Sequence, residues 1–237
     1  MNKGVLYLIP TPIGEVPLTD CVPTLNIYIL NELKHFVVEE VATARSFLAR
    51  AGLKEKLDNL NFYTLNEHTP PKEIDSFIKI LLGGENVGVI SETGLPAVAD
   101  PGAILVEAAH IHDIRVVPLV GPSSLMLALM SSGLDGQRFS FHGYLPIKID
   151  ERRLKIKEME TKSKNGGGSQ IFIETPYRND KLFTSLLEIC SLKTKICVAA
   201  NIGMQTEYIK TKSVEQWRKC KIQIGKKPTV FILQAFK

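Results

Sequence analysis

The sequence predicts an α/β protein of two domains, the first on a mostly parallel sheet and the second on a mixed one. Three observations carry this. Apolar runs of strand length alternate with segments of helical period up to residue 119, the signature of a layered α/β unit. The run NVGVIS (86–91) is apolar enough for a strand buried in a sheet. Beyond residue 119 the alternation breaks, and neighbouring strand candidates joined by a short turn call for antiparallel pairs. The expected domains are 1–118 and 119–237.

In order, VLYLI (5–9) reads as a strand, TLNIYILNELKH (24–35) as an amphipathic helix and FVVE (36–39) as a strand. VATARSFLARAG (41–52) is a helix that Gly52 terminates. FYTL (62–65) is a weaker strand, KEIDSFIKILLGG (72–84) a helix, GAILVEAAHIH (102–112) a helix and RVVPL (115–119) a strand. In the second half SSLMLALMSSG (123–133) is an apolar helix and RFSFHGYL (138–145) a strand, followed by a charged segment (148–164) and the connector NGGGS (165–169). QIFIET, KICVAAN, EYIKT and TVFILQA are strands; NDKLFTSLLEIC and SVEQWRKC are helices.

Composition narrows the function. The 237 residues carry a net charge of +4, a mildly basic surface short of a dedicated nucleic-acid binder's. Basic clusters at Arg152–Lys157 and from Lys210 to Lys227 nevertheless leave room for an RNA partner. The four cysteines form no CxxC pair, as expected of reduced thiols in a cytoplasmic protein. His110 and His112 sit at a helix end where i and i+2 diverge, so no metal is expected. No run approaches the ~18 apolar residues of a membrane span. No GxGxxG follows the first strand, there is no P-loop, and NGGGS precedes a strand rather than opening a helix, which makes it a flexible connector.

Chemistry is expected in four loops at strand ends: PTPIGE (10–15), SETGLPAVADPG (91–102), VGPSS (120–124) and ETPYR (174–178). Ligands of open α/β sheets gather outside the carboxyl ends of strands. Pro10 and Pro12 stiffen a wall and remove amide donors. Ser123 or Ser124 caps the helix that follows, whose free amides suit an anion. Glu92 and Asp100 suit a ligand with hydroxyl or amine donors and a positive centre, such as S-adenosylmethionine, while Asp100 also fits as a cap of the helix after Pro101.

These residues resemble a known family. SETGLPAVADPG, VVPLVGPSS, SGL (132–134), FSFHGYLP (139–146), IFIETPYR (171–178) and the opening LYLIPTPIG (6–14) are similar to the tetrapyrrole methylase superfamily of S-adenosylmethionine-dependent methyltransferases, and within it to the bacterial small-subunit rRNA ribose 2′-O-methyltransferases. The resemblance implies two α/β domains with the cofactor in the cleft between them, a homodimer, and the small ribosomal subunit as partner. It implies cofactor contacts from Pro10, from the turn Ser91, Glu92 and Thr93, from Pro122, Ser123 and Ser124, and from the backbone near Leu145. The chain departs from the pattern where AEDTR becomes VEEVA (38–42), HNE becomes LNE (65–67) and SDAGTP becomes SETGLP, and it ends at the strand FILQAFK where many relatives continue.

Methyl transfer from a sulfonium is an in-line displacement, and a poorly acidic ribose hydroxyl benefits from a base or an oxyanion-stabilising cation. Glu39, Glu40, Glu67 and Arg178 are the candidates. Glu40 or Glu67 is expected to position or deprotonate the acceptor, and Arg178 to stand beside it; Glu39 and Arg178 also read as structural ion pairs. Two alternatives remain open: a tetrapyrrole or other small molecule as acceptor, and a binding protein that holds cofactor or RNA without turnover.

Overall fold

A computed structural model describes residues 2–66 and 68–236. The chain divides into two compact units, Met1–Ser123 and Ser124–Lys237.

The first unit holds a five-stranded, wholly parallel sheet in the order β3-β2-β4-β1-β5. Its strands are β1 (Val5–Ile9), β2 (His35–Val38), β3 (Asn61–Thr64), β4 (Val87–Ile90) and β5 (Arg115–Pro118). Helices cover both faces because the strands alternate two apolar sets. Ile9, Phe36, Val38 and Ile90 pack under α1 (Thr24–Glu32) and α2 (Val41–Leu48), which contribute Leu30, Phe47 and Leu48. Leu6, Val37, Val87 and Val89 meet Phe77 and Leu81 of α3 (Pro71–Leu82) and Leu105 and Ala109 of α4 (Ala103–Ile111). Burial on both sides is why β4 reads as one continuous apolar run. Beyond α2 the chain coils on to Gly52, whose φ of 94° ends the turn as the sequence predicts.

The second unit holds a mixed sheet in the order β6-β7-β10-β8-β9. Its strands are β6 (Phe139–Tyr144), β7 (Ser169–Glu174), β8 (Lys195–Ala200), β9 (Tyr208–Ser213) and β10 (Thr229–Gln234). Only β6 and β7 run parallel; the other pairs are antiparallel. On one face lie α6 (Ile149–Lys162), α7 (Asn179–Ile189) and α8 (Val214–Arg218) around a core where Phe172 stacks on Phe231 at 5.7 Å. Phe183 meets Trp217 edge-on at 5.2 Å, and the Trp217 indole donates to the Ile196 carbonyl at 2.9 Å. α5 (Ser124–Ser132) buries Leu125, Ala128 and Leu129.

Three sequence expectations change. His35 starts β2 instead of ending α1. The charged segment 148–164 is mostly α6: Arg152, Ile156 and Met159, three and four residues apart, turn inward beneath an otherwise charged surface. NGGGS is not a flexible connector. Gly168, at φ 65°, lies so close to the Arg138 carbonyl that a Cβ would overlap it, and the buried Ser163 hydroxyl donates to the Gly168 carbonyl at 2.7 Å. Glycine serves here for close backbone approach, not for looseness. No helix among the described residues is long and apolar enough to cross a membrane, and all four cysteines are free.

Candidate functional site

In the first sheet β4, β1 and β5 are adjacent and parallel, so the loops that leave their carboxyl ends emerge side by side. They are tied together. Thr11, buried, donates its amide to the Gly94 carbonyl at 2.9 Å and its hydroxyl to the Ser91 carbonyl at 3.1 Å. A Cβ added to Gly121 would stand 2.2 Å from the Pro10 Cβ, so only glycine lets the third loop lie against the first. The buried Asn26 side chain donates to the Val120 carbonyl at 2.9 Å, which fixes the same loop from α1. The Ser91 hydroxyl bridges the amide and carbonyl of Thr93, each at 3.3 Å. Pro10, Ser91, Thr93 and Pro122 are thus brought to one sheet edge.

The loop 91–102 is held taut. One Asp100 oxygen, Oδ1, accepts from the amides of Gly102 (2.7 Å) and Ala97 (3.1 Å), so this side chain staples its own turn. Its other oxygen, Oδ2, is buried and receives no hydrogen bond from an N–H or hydroxyl donor among the described residues. Ala97 and Ala99 stand at φ 64° and 56°, a left-handed backbone that costs a non-glycine residue about 1–2 kcal/mol each. Strain of this kind persists only where the surroundings impose it.

Glu39, at the end of β2, faces this loop. Its carboxyl is pushed up to about 7, first by burial, then by a hydrogen bond to Asp100 and by the negative charges of Asp100 and Glu92, against an opposing pull from the Glu92 amide. Two carboxyls that share a hydrogen bond need one proton between them, and a proton on Glu39 supplies a donor to Asp100.

Glu40 is the exposed N-cap of α2, where its carboxylate accepts from the Ala42 amide at 3.3 Å. Glu67 lies outside the described residues. Ser123 ends the first unit and Ser124 begins α5. Leu145 is 2% exposed, its side chain held in the core of the second unit. Arg178 donates Nε (2.9 Å) and Nη2 (2.6 Å) to one oxygen of Glu174, which also accepts from the Thr175 amide at 2.7 Å. The loop ETPYR is therefore a self-contained turn around a carboxylate that is 1% exposed.

A cavity of about 120 Å3 opens between the β1 loop, the start of the 91–102 loop and α2. Its helical wall is made by Thr43 and Phe47 of α2, with Ser46 beside them, and by Arg50 in the turn that continues α2. The sequence reading passed over these residues. Their spacing of three, four and seven was a visible signal of one helix face, but nothing local told which face met the loops.

The sequence profile of the Tetrapyrrole (Corrin/Porphyrin) Methylases matches residues 29–217. The chain is 35% identical over 188 residues to the ribosomal RNA small subunit methyltransferase I of Xylella fastidiosa, an alignment covering 79% of this chain and 64% of that protein. It is 31% identical over 209 residues to the protein of the same name from Mesorhizobium japonicum, covering 88% and 67%. Among solved structures, the methyltransferase CobJ superposes with a TM-score of 0.64 at 17% identity, covering 99% of this chain and 94% of that one. Diphthine synthase does so at 0.64 and 13%, covering 98% and 90%. At such identities these two speak for the fold alone.

Proposed function

We propose a function from one premise: this chain belongs to the tetrapyrrole (corrin/porphyrin) methylase family. On our reading it is an S-adenosylmethionine-dependent methyltransferase whose acceptor is a ribose 2′-hydroxyl of small-subunit (16S) ribosomal RNA. The observation that carries this reading is the joined loop cluster at the carboxyl edge of the first sheet, in a chain similar over most of its length to small-subunit rRNA methyltransferases. The cytoplasmic location and the homodimer implied by the resemblance belong to the same reading.

The donor set fits the cofactor. Glu92 offers an acceptor to hydroxyl and amine groups and to a positive centre, and Asp100, stapled to Ala97 and Gly102, holds the turn that carries it. Pro10 and Pro122 present walls without amide donors, and the strained turn around Ala97 and Ala99 holds its main-chain groups in fixed directions. Ser123 and Ser124 at the start of α5 complement the carboxylate of an amino acid. The resemblance adds the backbone near Leu145. Once bound, the cofactor supplies an electrophilic methyl group on sulfur.

For the acceptor, we move the role of base from Glu40, whose carboxylate caps α2, to Glu39. A carboxyl held near 7 accepts a proton at neutral pH with useful driving force. Glu67 stays in the proposal as a second candidate outside the described residues, and Arg178 as the residue that stiffens the ETPYR turn.

The test is mass-spectrometric mapping of ribose-methylated nucleosides in small-subunit RNA from cells with and without the protein, alongside calorimetric titration of the purified chain with S-adenosylmethionine. A 2′-O-methylated nucleoside found only where the protein is present, together with heat on titration, is the expected result. Identical maps and a flat titration refute the reading.

A further inference from the structure

We propose that the cavity between the β1 loop and α2 is an acceptor subsite that seats one phosphate of the RNA strand beside the reacting nucleotide, with the adjoining ribose at its mouth. This rests on the function just proposed and adds the place where the acceptor is read.

The cavity has the size, charge and free donors for that group. Its volume of about 120 Å3 is close to the roughly 150 Å3 known to take a benzene ring, so it admits one sugar or one phosphate. Arg50 brings a positive charge and forms no ion pair among the described residues. Its Nη2 donates to the Val16 carbonyl at 2.7 Å, which fixes the guanidinium while other N–H groups stay available. The hydroxyls divide into two groups. Those of Thr11 and Ser91 are committed to carbonyls within the loops. Those of Thr43 and Ser46 make no hydrogen bond among the described residues, and they line the same cavity as Arg50. A cation with two hydroxyls on one helix face is a donor set for a phosphate.

Glu92 lines the opposite side. A carboxylate there repels phosphate from its own side, which turns that group towards Arg50, and it accepts from a ribose hydroxyl, the group by which a protein tells RNA from DNA. Ser91 and Glu92 belong both to this cavity and to the loop assigned to the cofactor, so an RNA strand seated here runs directly past the donor.

The test is steady-state methyl transfer to small ribosomal subunits prepared without the modification, at saturating cofactor, with wild type, Arg50→Gln and Ser46→Ala. Arg50→Gln is expected to raise KM for subunits about tenfold with kcat within twofold, to leave the cofactor Kd unchanged, and to reduce the salt slope of KM by about one. Ser46→Ala is expected to raise KM about threefold. An active wild type with Arg50→Gln unchanged in KM and salt slope overturns the subsite alone, as does a variant whose cofactor Kd rises. A wild type that leaves the subunits unmethylated overturns the function and the subsite together.

Discussion

Glu39→Gln isolates the shared proton at the end of β2. Folding raises this carboxyl from its ordinary 4.5 to about 7, so the native chain holds the proton more tightly than the unfolded one. The linkage then has a definite sign: the stabilisation is complete below pH 4.5 and disappears as pH rises through about 7. At about 1.36 kcal/mol per pH unit the ceiling is about 3.4 kcal/mol. Glu39 is only half-buried, and solvent screening reduces this to about 1–2 kcal/mol. Glutamine keeps a donor for Asp100 and cannot ionise. Between pH 4.5 and 8 the wild type should therefore lose about 1–2 kcal/mol that Glu39→Gln retains. For a chain of this length that is about 2–8 °C in Tm, read by circular dichroism at constant ionic strength, and other titrating groups cancel in the comparison. If Glu39 is also the base, wild-type kcat/KM rises with pH through about 7, and the variant loses about 10²–10⁴ in rate. Parallel melting curves for the two proteins across this window would refute the shared proton.

Two further perturbations test how the loops are built. Gly121→Ala forces a Cβ to within 2.2 Å of Pro10; the cost is about 1–3 kcal/mol with at least tenfold weaker cofactor binding, measured by melting and calorimetry, and wild-type values for both would sink the idea that these loops are packed as one. Arg178→Ala strips two donors from the buried Glu174 carboxylate and should cost about 3–5 kcal/mol in chemical denaturation, partly recovered by adding Glu174→Gln. A variant of unchanged stability that transfers no methyl group would instead place Arg178 at the acceptor.

What the sequence made legible follows one rule: it shows features whose cause lies within a few residues. Parallel strands covered on both faces must be apolar throughout, so β1 and β4 stand out as runs. Proline, glycine and an aspartate in one loop announce a rigid turn, and Asp100 does close its own turn through Ala97 and Gly102. The same reasoning misjudged NGGGS, because glycine marks close approach as well as freedom and composition alone does not separate the two. It passed over α6, whose few inward residues are outnumbered by a solvated charged face.

The features that decide the chemistry have causes distant in sequence. Glu39 and Glu40 are adjacent glutamates, and nothing local distinguishes them. Their difference comes from position: one ends β2 against Asp100 and Glu92, the other starts α2 and gives its carboxylate to an amide. Arg50 likewise looks like any exposed arginine on a helix until the β1 loop is laid across from it. Strand order brings these groups together, since β4 lies between β2 and β1 and its loop reaches Glu39 on one side and Thr11 on the other. A change at the 91–102 loop should therefore act on proton and acceptor together, whereas a change at Arg50 should act on the acceptor alone.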